Sequence, residues 1–209
     1  MIVDTEKALQ IEAFRSRLLH WSSKIIRPMP WKEEKNPYYI WLSEVILQQT
    51  RVEQGLPYYL KFVHAYPTVT DLARADEDEV LKLWEGLGYY SRARNLLKAA
   101  RYIAETLAGE FPTTFTGIRA LIGTGEYTAA AVASFAYNLP HAVVDGNVYR
   151  VLSRVFGVEL PIDTTAGKKH FAALAEKALD QENAGMYNQA IMDFGAVQCI
   201  PRNPDCMHC

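Results

Sequence analysis

Apolar residues recur at helical spacing along nearly the whole of this chain, and clean alternation at period two is scarce. That pattern predicts an all-α fold with short connections. A first helix, capped at Thr5, carries Phe14, Leu18 and Trp21 on one face. Further helices are expected over residues 37–49, 91–107, 116–121, 126–137, 147–156, 166–179 and 184–197. Another begins at Asp76, with Glu77, Asp78 and Glu79 in its first turn, and closes at Gly86 and Gly88. A bundle of this many helices tends to split into two lobes around a cleft.

With 209 residues, 49% of them hydrophobic, the chain can bury a core and is not a disordered segment. It carries 22 Lys+Arg against 24 Asp+Glu, a net charge of −2, which counts against nucleic-acid binding by bulk charge alone. Residues 1–6 show no basic region leading into an apolar core, so no secretory signal is read. The uncharged stretch 127–144 is Ala-rich and interrupted by Asn138, Pro140 and His141, so it reads as a buried helix and a turn, not a membrane span. The three cysteines, Cys199, Cys206 and Cys209, crowd the last eleven residues. That is metal spacing and not a disulfide framework, and it points to a reducing, cytoplasmic setting.

Two stretches carry chemistry. Leu121-Ile122-Gly123-Thr124-Gly125 joins two of the expected helices. Its glycines allow a tight turn that exposes N–H groups at a helix start, where a phosphate can bind; a plain αα-hairpin fits the same residues. Some twenty residues on, Val143-Val144-Asp145-Gly146-Asn147-Val148 places an acid just before a helix, where an N-cap is the commoner task.

In this order the two stretches resemble the helix-hairpin-helix DNA glycosylases of the endonuclease III superfamily. Three more narrow the likeness to MutY-type adenine DNA glycosylases. They are Trp41-Leu42-Ser43-Glu44-Val45-Ile46-Leu47-Gln48-Gln49-Thr50, the run from Leu83 to Leu96 containing Gly86-Leu87-Gly88-Tyr89-Tyr90, and Asn188-Gln189-Ala190-Ile191-Met192-Asp193-Phe194-Gly195. The likeness extends over residues 31–209. It implies a lobe over about 30–140 with the hairpin at 116–137, and a second lobe from about 1–29 and 141–209 carrying Asp145 and the cysteines.

The resemblance also implies a reaction: excision of adenine mispaired with 8-oxoguanine or guanine in double-stranded DNA, by a monomer in base excision repair. Glu44 would be the acid that protonates the base, which requires burial to hold its proton; an ordinary solvated helix glutamate is the alternative. Asp145, ionised beside a helix N-terminus, would stabilise the positive sugar, with Tyr127 and Asn147 lining that side. The related pyrimidine enzymes carry a lysine nucleophile where Tyr127 stands, so simple base removal is expected. Gln49 and Tyr89 match positions that enter the base stack, Thr50 and Leu87 those beside the opposing guanine, and Gln48 belongs to the same DNA-binding stretch. Gly123 and Gly125 would hold phosphate, and Trp31, Lys32 and Gln189 the adenine.

By the same likeness, Cys199, Cys206 and Cys209 match three of the four ligands of a [4Fe–4S] loop, the fourth falling beyond the last residue. His208 offers a Cys3His zinc alternative. A longer protein is therefore expected, with a C-terminal lesion-recognition domain lacking here. The hairpin departs from the family at Ile122 and Thr124, where Pro and Val are usual. Rival readings are a different mismatch or pyrimidine glycosylase, and a silent helix-hairpin-helix module that only binds DNA. Charge placement softens the net −2: residues 71–85 hold six acids and two bases, whereas 86–120 hold five bases and two acids. Arg92, Arg94, Lys98 and Arg101 are thereby expected near the DNA face.

Overall fold

A computed structural model describes residues 2–207 and 209. Among them are eleven helices and no strand. They divide into two compact units, Met1–Lys32 with Asn138–Cys209, and Glu33–Tyr137.

The Glu33–Tyr137 unit is built around α2 (Pro37–Leu47). Asn36 starts it, its side chain accepting from the Tyr38 amide at 3.0 Å, with Pro37 preset for the first turn. Tyr38 and every residue from Ile40 to Ile46 are buried, the pattern of a helix enclosed on all sides. Around it pack α3 (Val52–Ala65), α6 (Ser91–Thr106) and α8 (Glu126–Tyr137). Alanines and other small residues from Thr128 to Ser134 form the buried stretch of α8, so its backbone lies close to α2. The approach of α3 depends on Gly55, where a Cβ would fall 2.7 Å from the Leu47 side chain. The short helices α4 (Val69–Arg74), α5 (Glu77–Leu83) and α7 (Phe115–Arg119) complete the unit. Edge-on ring pairs, Trp41 with Phe111 at 5.7 Å and Phe62 with Trp84 at 5.8 Å, fill its core.

The other unit packs α1 (Ile2–Ser22) and α9 (Gly146–Phe156) against α10 (Thr165–Ala178) and α11 (Ala184–Val197). Phe14 meets Phe156 at 5.6 Å and Trp21 meets Phe194 at 5.0 Å. Arg15 donates to the carbonyls of Lys177 and Ala178, which end α10 and lack partners within their helix. Gly157, at φ +62, closes α9.

The all-α expectation holds, and α8 and α11 begin and end where the periodicity puts them. Thr5 lies inside α1 and does not cap it. Both α3 and α4 went unforeseen. The first has no side-chain cap and carries Gly55 and Pro57, both poor helix formers. The second does have a signature, since Thr68 and Asp71 form a reciprocal capping box. Past α8 the chain turns at Asn138, at φ 52, and no helix among the described residues is long and apolar enough to cross a membrane.

Candidate functional site

In the Glu33–Tyr137 unit, Glu44 sits mid-way along α2 and is only 7% exposed, between buried Ser43 and Val45. Burial of this degree sets it apart from an ordinary solvated helix glutamate. Helix α2 ends at Gln48, whose side-chain amide donates to Thr128 Oγ1 at 3.3 Å. Gln49 then takes a left-handed conformation at φ 55 and is exposed, and the Thr50 amide returns to the Leu47 carbonyl at 3.1 Å. A second turn lies after α5, where Gly86, Gly88 and Tyr89 all have positive φ. It buries Leu87 and leaves Tyr89 66% exposed.

One residue joins the two turns, and sequence reasoning counted it only as a surface base. The Arg92 guanidinium donates to the carbonyls of Val45, Ile46 and Gln48 on one side and of Leu87 and Gly88 on the other. Burial pulls its pKa down, and the neighbouring Tyr89 opposes that shift. Arg101 likewise turns to the carbonyls of Ala73 and Ala75, and Arg94 pairs with Glu77 at 3.0 Å. Of the four bases expected on an open face, only Lys98 is exposed without a partner of this kind, because the others are spent on carbonyls and an acid.

The hairpin runs from α7 to α8. Gly123, at φ 78, needs glycine twice over: for the left-handed turn, and because a Cβ would stand 2.8 Å from that of Asn95. Gly125 has open space around it. Both are exposed, as is Ile122, whereas Thr124 is buried. Tyr127 is half-buried in the first turn of α8.

In the other unit, Asp145 is the N-cap of α9, one oxygen accepting from the Val148 amide at 2.8 Å. Its second oxygen accepts from the Asn147 side chain at 2.9 Å. Asn147 Oδ1 in turn accepts from Arg150 at 2.8 Å, and Arg150 donates to the Gly195 carbonyl at 2.6 Å. Both oxygens of this carboxylate are thus engaged at the start of α9. Asn188 holds the approach to Asp145, accepting from the Val143 amide and donating to the His141 carbonyl. Lys32 is paired with Asp193 at 2.5 Å, and Arg27 shares that acid at 2.7 Å. Asp193 lies one turn after Gln189 on α11, and Trp31 and Gln189 are both half-buried. This triad was not foreseen, because its basic members lie 161 and 166 residues from the acid.

The cysteine expectation is overturned. Among the described residues, no three His, Cys, Asp or Glu side chains form a group able to hold a metal. Cys199 is buried, and its sulfur accepts from Arg154 at 3.3 Å, while Cys206 and Cys209 are exposed. The residues present do not fit an iron–sulfur cluster. His208 lies outside the described residues.

An all-helical protein with a glycine hairpin followed by a capping aspartate is the class that fold and site define. The chain belongs to the HhH-GPD superfamily of base excision DNA repair proteins, whose profile matches residues 42–181. Among its relatives, adenine DNA glycosylase of Mus musculus is 43% identical over 208 residues, covering 95% of this chain and 40% of that protein. The corresponding protein of Buchnera aphidicola (subspecies Baizongia pistaciae) is 37% identical over 201 residues, covering 94% of this chain and 56% of its own length. The chain thus spans about 40% of the length of its mouse relative. A solved thermostable thymine-DNA glycosylase shares the fold with a TM-score of 0.88 at 31% identity, over 98% of this chain and 94% of that one.

Proposed function

We propose that this chain excises adenine from duplex DNA where it stands opposite 8-oxoguanine or guanine, as a monofunctional glycosylase of base excision repair. The observation that carries the reading is Glu44, a carboxyl 7% exposed in the middle of an enclosed helix. A module that only binds DNA has no need of a buried acid there. Likeness to adenine DNA glycosylases along nearly the whole chain supports the same substrate.

In the proposed reaction the target base is flipped out of the stack. Glu44 gives its proton to a ring nitrogen of adenine, and the bond from C1′ to the base breaks with its electron pair going to the base. The positive charge left on the sugar is stabilised by the Asp145 carboxylate. Water then adds to C1′ and its proton passes to a carboxylate. Tyr127 and Asn147 line the sugar, and Trp31, Lys32 and Gln189 receive the adenine, with Lys32 held by Asp193. Gln49 and Tyr89 enter the stack, Thr50 and Leu87 lie against the opposing guanine, and Gln48 braces that turn. The hairpin backbone at Gly123 and Gly125 takes a phosphate at the start of α8. Double-stranded DNA is then the partner, met by a monomer in a reducing intracellular compartment.

The likeness to a thymine-DNA glycosylase favours a second reading, removal of thymine opposite guanine. One assay decides. Duplexes holding A opposite 8-oxoguanine, A opposite G, T opposite G, or an oxidised pyrimidine are incubated with the protein and treated with alkali. Breakage confined to the adenine strand is the expected result. Breakage at the thymine strand alone would replace adenine with thymine, breakage without alkali would contradict simple hydrolysis, and binding without breakage would leave only the silent module.

A further inference from the structure

Arg92 does something that the proposed chemistry leaves unexplained. Its guanidinium lies beneath two turns of the Glu33–Tyr137 unit, one at residues 48–50 after α2 and one at 86–90 after α5. Nη1 donates to Val45 O at 3.3 Å, to Ile46 O at 3.1 Å and to Gln48 O, and reaches Thr50 Oγ1 at 3.5 Å. Nη2 donates to Leu87 O at 3.3 Å and Gly88 O at 3.4 Å. The guanidinium carbon lies 5.1 Å from the Trp84 ring centre and 5.7 Å from that of Tyr89. Trp84 Nε1 supports the second turn separately, donating to Gly88 O at 2.9 Å.

Each turn presents one non-glycine residue in the left-handed region, Gln49 at φ 55 and Tyr89 at φ 47. Such a conformation is unfavourable for a residue with a side chain and persists only where its surroundings hold it. Both side chains are exposed. The carbonyls that end α2 have no partners within their helix, so they are open to an outside donor. A planar fork with donors on two nitrogens serves both turns at once, which the ammonium of a lysine, a point charge on a flexible stem, does not.

We propose that Arg92 is a positioning residue that locks the turn at Gln49 and the turn at Tyr89 into one unit, so that both side chains are presented to duplex DNA together. What the pair acts on rests on the adenine-glycosylase reading; the coupling of the turns does not.

Native-state hydrogen exchange in rising urea tests the coupling on the unaltered protein. The amides of Thr50, which donates to Leu47 O, and of Arg92, which donates to Tyr89 O, are the probes. They are expected to share one opening free energy and one urea slope, as members of a single cooperative unit do. In Arg92→Lys both turns are expected to exchange at least about tenfold faster, while amides inside α8 stay within about twofold. A duplex with fluorescent 2-aminopurine opposite 8-oxoguanine then reads extrusion directly. Arg92→Lys is expected to slow it about tenfold or more, with duplex affinity held within about threefold. Separate opening of the two turns in the unaltered protein overturns the proposal. So does an Arg92→Lys protein that loosens one turn alone, or one that extrudes at the normal rate. Should Arg92→Lys fail to fold, the urea slopes of the unaltered protein decide. An unaltered protein whose turns open together but which excises no adenine removes the substrate reading and upholds the coupling.

Discussion

Thr124 stands in the hairpin turn at 4% exposure, its Oγ1 buried without a hydrogen-bond partner. A hydroxyl so placed has given up water and gained nothing, at a cost of about 1–3 kcal/mol. Valine keeps the branched shape and exchanges the hydroxyl for a methyl, and the family that this hairpin resembles carries Val here. The backbone bonds survive the change, since the residue 124 amide still donates to Leu121 O (3.0 Å) and its carbonyl still accepts from Arg119 (3.1 Å). Thr124→Val is therefore expected to stabilise the fold by about 1–2 kcal/mol. For a chain of this size each kcal/mol moves the melting point by about 2–4 °C, so a rise of about 2–8 °C follows. Thr124→Ser separates packing from polarity: it keeps the hydroxyl and loses the methyl, and should cost about 1 kcal/mol. Thermal melts followed by far-ultraviolet circular dichroism, backed by urea titrations, should rank Val above Thr above Ser. A Val protein no more stable than the original would mean that the hydroxyl is satisfied, and the reasoning would be refuted.

Three further substitutions address the site. Glu44→Gln removes the proton donor without changing shape, so single-turnover adenine excision should fall by at least about 10²-fold while duplex affinity stays within about threefold; near-normal turnover would remove Glu44 from the acid role. Asp145→Asn keeps a side chain that caps helices as well as Asp does, so stability should change by less than about 1 kcal/mol in a urea titration. Excision by that variant should nonetheless drop about 10²-fold or more, and a large stability loss with normal excision would reduce Asp145 to a cap. Gly195→Ala places a Cβ 2.6 Å from that of Asn147 and 3.2 Å from its backbone, forcing α9 and α11 apart. It should cost about 1–3 kcal/mol and, by displacing Asn147, slow excision, both of which a melt and a single-turnover assay would show.

These changes mark out what was legible in the residues themselves. Element type was clear wherever local chemistry and apolar period agreed, as at Pro37 opening α2 or Asp145 opening α9. It failed where tertiary contact overrode propensity. Helix α3 tolerates Gly55 because a larger residue would strike Leu47, and Pro57 because neighbouring elements supply stability that the isolated segment lacks. The residues proposed for the chemistry were found through resemblance, but their supports were not. Asn188 on the approach to Asp145, Asp193 against Lys32, and Arg92 beneath the carbonyls that end α2 all act across long sequence separations. No spacing rule reaches that far.

Charge shows the same limit most sharply. Counting along the chain put five bases after residue 86 and implied a surface attractive to phosphate. A count carries sign but not direction, and direction here is set by where unpaired carbonyls lie. Ends of short helices and tight turns supply them in abundance, and a guanidinium with five donors satisfies several at once. Arg92, Arg101, Arg150 and Arg154 are each bonded to at least two carbonyls. An arginine in a short-helix protein of this kind is therefore first a fastener of loops, and it counts toward a nucleic-acid surface only once its donors have been accounted for. By that standard the phosphate contact proposed above falls to the hairpin backbone, where Gly123 and Gly125 are exposed, and not to the arginines that precede it.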